Sequence, residues 1–203
     1  MNNLAYSSQD KEKVAPKVEE LLRKELAASA PLTYAVEEAG TAGVTAGSLL
    51  KDMSTTLFGG TETPLFTVRF QIAQPRVASL DVHMRRQGLG CIGSTLLYSA
   101  TLSKPCGSGV TLGDDGKFTG DAAVAGKLNA SKDLLKKCSA FAVTSGGLAG
   151  SEMKIPRTLK IVPGERGTEI AAVTLPRSKS MGFSASCGSS DFFELASLIE
   201  AAL

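Results

Sequence analysis

Apolar residues near the start of the chain recur at the three- and four-residue steps of an amphipathic helix. They are Val14, Val18, Leu21, Leu22 and Leu26. The pattern predicts a helix from about Asp10 to Ala28. Because its apolar stripe has ordinary width, we expect this helix to pack on a sheet of its own chain. The alternative is a helix that lies in the groove of a partner protein and contacts it through Val14, Val18 and Leu21.

In the middle of the chain the period of the hydrophobic pattern changes to two, which is typical of half-buried strands. Residues 66–72 and 78–85 alternate in this way and are separated by a glutamine–proline turn. They predict two adjacent strands, each with one buried face and one wet face. Asp81, His83 and Arg85 share the face that we expect to lie in water.

Three further segments before residue 103 have weaker patterns. Alternation over 32–36 predicts a short strand, and apolar residues of 48–58 predict a second helix. The run 89–102 fits a helix or a strand, and its many Ser, Thr and Tyr residues favour the strand.

The second half of the chain repeats the change from strands to helix. Residues 110–112 and 117–119 flank the sequence GDDG and predict a hairpin. A third helix is predicted from Asp121, its N-cap, to about Cys138. Short strands are predicted at 141–144, 158–162, 169–175 and 181–186.

The last residues predict a helix from Asp191 to the end of the chain. Ser190 or Asp191 would cap it, and Glu194 comes three residues after Asp191, as in a capping box. Because Phe192, Leu195, Ile199 and Leu203 recur at helical steps, we expect the helix to belong to the core.

These elements together predict an α+β fold, in which helices cover an antiparallel sheet and amphipathic helices lie at both termini. At 203 residues the chain is long enough for one sizeable core. We expect a single domain over 1–203, with a helical N-terminal region at 1–63 and a strand-rich core with two helices at 64–203.

Charge and targeting signals argue against several classes of partner. The 22 basic and 20 acidic residues nearly cancel, and no basic run suggests nucleic-acid binding. The first residues lack the pattern of a signal peptide, and no run approaches the roughly 18 apolar residues of a membrane span. We therefore expect a cytoplasmic protein with reduced cysteines and no membrane span.

Groups that commonly carry out catalysis are scarce. His83 is the only histidine, and the four cysteines are scattered at Cys91, Cys106, Cys138 and Cys187. General acid–base and metal chemistry usually draw on imidazoles or on clustered thiolates and carboxylates. We assign no catalytic residue, no metal ligand and no cofactor, although the sequence leaves an enzymatic activity open.

Two glycine motifs resemble nucleotide-binding loops only in part. Residues 88–93 read GxGxxG, but a half-polar strand precedes them where a dinucleotide site has a buried one. Residues 120–128 have one residue too many between the glycines of a phosphate loop, and Leu128 replaces the Ser or Thr that binds magnesium. We expect residues 88–93 to form a strand or bulge in which glycine relieves steric crowding. We expect residues 120–128 to form the N-terminus of a helix.

Two functional hypotheses remain. The first is a non-catalytic interaction, assembly or chaperone-like protein that binds a protein partner or a second copy of itself. Its candidate partner-binding residues are Val14, Val18 and Leu21 of the first helix, together with Lys160 and Arg177 among the basic residues of the C-terminal strands. The second is a protein, enzymatic or not, that binds a small apolar ligand or lipid in a cavity between sheet and helices.

Overall fold

The structure is a computed structural model that describes residues 11–26, 32–38, 63–86, 92–145, 154–156, 159–164, 167–174, 177–178 and 185–203. The helices in these ranges are α1 (Lys11–Glu25), α2 (Ala122–Ala130), α3 (Lys132–Ala142) and α4 (Ser189–Ala202). The helix predicted at 48–58 and most of the GxGxxG motif lie outside the described residues.

Twelve strands are formed by the described residues. They are β1 (Leu32–Glu38), β2 (Thr63–Ile72), β3 (Ala78–Arg86), β4 (Ile92–Leu102), β5 (Val110–Leu112), β6 (Phe118–Gly120), β7 (Val143–Ser145), β8 (Lys154–Pro156), β9 (Leu159–Gly164), β10 (Gly167–Thr174), β11 (Arg177–Ser178) and β12 (Ala185–Ser186). Eight of them form one antiparallel sheet in the order β1-β2-β3-β4-β10-β9-β5-β6. The predicted α+β class and both terminal helices are confirmed.

Two compact units make up the chain. The first comprises residues 1–75, 79–97 and 175–189, and the second comprises 76–78, 98–174 and 190–203. In the first unit, α1 lies against β1 and β2. The apolar side chains of α1 are buried, as are Phe66, Val68 and Phe70 of β2, because the helical stripe and the period-two face are complementary.

The polar face of α1 carries the two ion pairs expected of residues four apart. Arg23 Nη2 lies 2.7 Å from Glu19 Oε1, and Lys24 Nζ lies 2.5 Å from Glu20 Oε1. Such exposed pairs support a helix by only about 0.2–0.5 kcal/mol each. Burial of the opposite face therefore contributes most to the position of α1.

The C-terminal helix α4 starts earlier than predicted. It begins at Ser189, not at Asp191, because the Glu25 carboxylate accepts hydrogen bonds from the backbone N–H groups of Cys187 (2.6 Å) and Ser189 (2.7 Å). Ser190 and Asp191, the two predicted caps, lie inside the helix, and Asp191 Oδ1 accepts a hydrogen bond from Lys137 Nζ at 2.9 Å. When the capping residue is distant in sequence, the residues around the helix start do not reveal where the helix begins.

In the second unit, α4 belongs to the core as expected. Phe192, Leu195 and Ile199 have no exposed surface, and the ring of Tyr98 stacks on Phe192 with centroids 4.7 Å apart.

The single helix predicted from Asp121 to Cys138 is wrong, because two helices meet at Ser131. Asp121 is the N-cap of α2, as predicted, and accepts a hydrogen bond from Val124 N at 2.9 Å. Ser131 has extended backbone angles and caps both helices: its N–H donates to Leu128 O, and its hydroxyl accepts from Leu134 N. Serine competes with helical hydrogen bonding in this way.

Some short strands also differ from the predictions. Residues 141–142 complete α3, so the strand predicted from 141 begins only at Val143. The strand predicted at 181–186 is described only as β12, which pairs with β11. The run 89–102, interpreted as a strand, is a strand over its described residues, Ile92–Leu102.

Candidate interaction surface

Strand β1 is an outer strand of the sheet, paired with β2 on one side only among the described residues. Residues 33–36 are exposed, and two of them are large apolar side chains, Tyr34 (46% exposed) and Val36 (43%). The strand contains no lysine, arginine or proline, although its two glutamates are charged residues of a kind that also protects sheet edges. Its exposed apolar residues make this edge a candidate interaction surface.

On one face of β1, apolar packing continues from the core to the exposed edge. The antiparallel register places Tyr34 opposite Phe70 and Val36 opposite Val68, and both β2 residues are fully buried. The rings of Tyr34 and Phe70 lie 5.4 Å apart at 43°. Contact with a buried neighbour restricts the conformations of the exposed tyrosine, which would lower the entropy cost of any binding there.

The other face of β1 is held by an arginine on β2. Arg69 donates from Nε and Nη2 to the two carboxylate oxygens of Asp81, each at 2.9 Å, and from Nη1 to Glu37 Oε1 at 3.0 Å. The hydrogen bonds to Asp81 raise the pKa of Arg69 above its ordinary value. One guanidinium thus connects strands β1, β2 and β3.

The predicted wet face of β3 is partly wrong. Asp81 is only 2% exposed, because the bidentate bond from Arg69 lets the carboxylate be buried. His83 does lie on the polar face and is half-buried, with Nδ1 2.9 Å from Thr67 Oγ1. The side chain of Arg85 lies outside the described residues.

One acceptor beside β1 has no partner in the described part of the chain. Glu37 Oε1 accepts from Arg69, but Glu37 Oε2 is buried without a hydrogen bond. Buried polar atoms of this kind are uncommon and need an explanation. Ser94 Oγ is the other such atom among the described residues.

The three described cysteines, Cys106, Cys138 and Cys187, are buried and free of disulfides. Burial raises the pKa of Cys138 to about 12 and also raises the pKa of Cys187, so both remain thiols at neutral pH. The Cys106 thiol donates to Ser108 O at 2.8 Å. Across the described ranges no three His, Cys, Asp or Glu residues are grouped to hold a metal ion.

The opposite outer strand, β6, is covered by its own chain. Asn129 on α2 accepts from Phe118 N and donates to Phe118 O, both at 2.9 Å. The amide therefore occupies the backbone groups of Phe118 that a neighbouring strand would otherwise use.

The residues that the sequence suggested for partner binding have different locations. Val14, Val18 and Leu21 are buried, which favours the packing interpretation of α1. Lys160 is half-exposed on β9, opposite Ala171 of β10. Arg177 lies on β11, and its side chain is outside the described residues. Their role in binding stays a prediction, as does the small apolar ligand.

Sequence reasoning predicted the strand at 32–36 but missed that it is an outer strand.

No helix in the described ranges is long and apolar enough to cross a membrane. Comparison of the chain with protein-family models, with curated proteins and with solved structures finds no match.

Proposed function

We propose that the protein is a non-catalytic interaction or assembly protein of the cytoplasm that binds an extended segment of another polypeptide along β1. The observation that carries the proposal is the exposure of residues 33–36 on both faces of an outer strand. A strand in this position offers backbone N–H and C=O groups to an added strand, while its alternate side chains provide specificity.

The chemistry of the described residues supports binding over catalysis. Arg69 binds two carboxylates, those of Asp81 and Glu37, and so links three strands. Arg69 is fully engaged by carboxylates, and the Cys138 and Cys187 thiols stay protonated at neutral pH. This arrangement positions β1 and leaves its edge to a partner.

The side chains of β1 indicate which segments it should bind. Tyr34 and Val36 lie on one face and form a short apolar stripe next to Phe70 and Val68. Aromatic and β-branched residues directly across from such side chains form favourable cross-strand pairs. We therefore expect the partner segment to be extended and to alternate aromatic or β-branched residues with polar ones.

An array of synthetic seven-residue peptides tests this function. The peptides alternate β-branched or aromatic residues with polar ones, and each has a version with a central proline, which cannot donate its backbone hydrogen bond. We expect the purified protein to retain a subset of the peptides and to lose them when proline is introduced.

A matched pair of variants tests whether retention uses β1. Val36→Lys places a charge on the exposed stripe, whereas Val77→Lys makes the same change at a 69% exposed valine in the turn between β2 and β3. We expect Val36→Lys to abolish retention and Val77→Lys to preserve it. Equal retention by the two variants would contradict the proposed function, as would a protein that retains no peptide and is also monomeric.

A further inference from the structure

We infer that the segment bound along β1 is β1 of a second copy of this chain, paired antiparallel about Ala35 in a two-fold symmetric dimer. This inference rests on the proposed function and names its partner. It is carried by the self-complementarity of the seven residues of β1, which read LTYAVEE.

Pairing about Ala35 is the antiparallel register that uses all seven residues of the strand. In a two-fold arrangement each residue of one copy faces a fixed residue of the other. Ala35 faces Ala35, and Tyr34 faces Val36 of the second copy, so two aromatic–aliphatic pairs form on one face. Such cross-strand pairs are favourable in antiparallel sheets. They would join the apolar stripes that each copy exposes at its edge.

Charges and polar groups fit the same register. It places Glu37 opposite Thr33 of the second copy, and no glutamate position of β1 faces another glutamate. The Thr33 hydroxyl would lie on the same face of the sheet as the half-buried Glu37 carboxylate. Arg69 shares its charge between Glu37 and Asp81, and the register places Glu38 opposite Leu32 of the second copy.

The size of the contact predicts a reversible dimer. One pair of seven-residue strands is a small interface, at or below the low end of specific ones at about 1,200 Å². We therefore expect monomer and dimer to exchange, with the dimer populated as concentration rises from micromolar toward millimolar.

Sedimentation velocity over that concentration range is the first measurement. We expect the mean mass of the wild-type chain to rise from one chain toward two, and Val77→Lys to behave in the same way. Val36→Lys should stay at the mass of one chain throughout. A wild-type chain that is monomeric at every concentration overturns the inference, and so does a dimer that Val36→Lys leaves intact.

Cysteine cross-linking tests the register. In a background where Cys91 is replaced by serine, Ala35→Cys would place two thiols on directly opposed residues. The Cα atoms of opposed residues lie about 4.5–5.5 Å apart, within the range of a disulfide. Thr33→Cys is the matched control, because its two copies would be at least about 13 Å apart along the strands. Mild oxidation should cross-link the first variant in high yield and the second at background.

The two proposals can fail separately. Cross-linking of Thr33→Cys as efficient as that of Ala35→Cys overturns the register. If the chain is monomeric but retains array peptides through Val36, the partner is another polypeptide and only the self-pairing is wrong. If it is monomeric and retains none, the proposed function fails as well.

Discussion

Strands β1 and β6 are the two outer strands of the same sheet, and they meet the solvent in different ways. Strand β6 has three residues, and the Asn129 amide binds the backbone of Phe118 on its outer side. Strand β1 has seven residues and exposes Tyr34 and Val36. An outer strand that its own chain covers has little to offer a partner. This contrast is why we propose β1, and not β6, as the edge that pairs with another chain.

A second difference lies in how the strands are supported. The backbone of β6 is bound on its outer side by the neutral Asn129 amide, whereas β1 is joined to β2 and β3 by the charged Arg69, Asp81 and Glu37 cluster. The contacts of the cluster lie on a face of the sheet, so within the described part of the chain they do not occupy the outer edge of β1. In β6, the Asn129 amide contacts the strand and also occupies its outer backbone groups. In β1, the described ion pairs hold the strand from one face of the sheet and not from its outer edge.

The largest effect is expected from removing the support of β1. Arg69→Met leaves the buried Asp81 carboxylate without its bidentate partner and should lower the free energy of unfolding by about 3–5 kcal/mol. Urea unfolding followed by circular dichroism measures the loss. The double variant Arg69→Met/Asp81→Leu should recover most of it, because the buried charge is gone. A double variant as unstable as the single one would show that the ion pair is not the cause.

A smaller effect is expected from uncovering β6. Asn129→Ala leaves the backbone N–H and C=O of Phe118 without their partner and should cost about 1–3 kcal/mol. Native-state hydrogen exchange should show faster exchange of the Phe118 amide, while amides of β2 keep their wild-type rates. Lys132→Ala, an exposed change on the next helix, is the control. Unchanged exchange at Phe118 would mean that Asn129 does not protect this edge.

The smallest effect is expected in acid and concerns the unit that contains β6. Hydrogen bonds from Arg76 and Ser103 lower the pKa of Glu200 from its ordinary 4.5 to about 2. Ionised Glu200 therefore stabilises the folded chain fully at pH values above its ordinary pKa. This stabilisation is lost as the pH falls toward the pKa of Glu200 in the folded chain. Because the pair is partly hydrated, we expect Glu200→Gln to cost only about 1 kcal/mol near neutral pH.

Urea unfolding of the wild type and Glu200→Gln at about pH 7 and about pH 3 measures this dependence. The difference in stability between the two chains should shrink at the lower pH. An equal difference at both values would show that ionised Glu200 contributes nothing.

Much of the secondary structure followed from local patterns in the chain. The stripe of α1, the alternation in β2 and β3, and the hairpin of β5 and β6 are visible in consecutive residues, because each uses one period or one turn. The break at Ser131 was missed because the apolar pattern continues through it. The start of α4 was misplaced because its cap is Glu25, far away in sequence.

The interaction surface was harder to predict than the strand that forms it. The alternation at 32–36 indicates a strand, but no sequence pattern states which strand ends the sheet. For the same reason Val14, Val18 and Leu21 looked like candidate contacts, although α1 buries them within the first unit. The burial of Asp81 also depends on Arg69, twelve residues earlier on the neighbouring strand.

The sequence by itself determined the periods of the hydrophobic pattern, and therefore the α+β class, the terminal helices and the strands whose alternate residues are buried. Periodicity is a property of neighbouring residues, and each element forms from its own segment. Only the tertiary structure decided the strand order, which leaves β1 outermost with Tyr34 and Val36 exposed and brings Asn129 to the edge of β6. Strand order depends on pairings between distant segments, whose energies no single stretch of sequence contains.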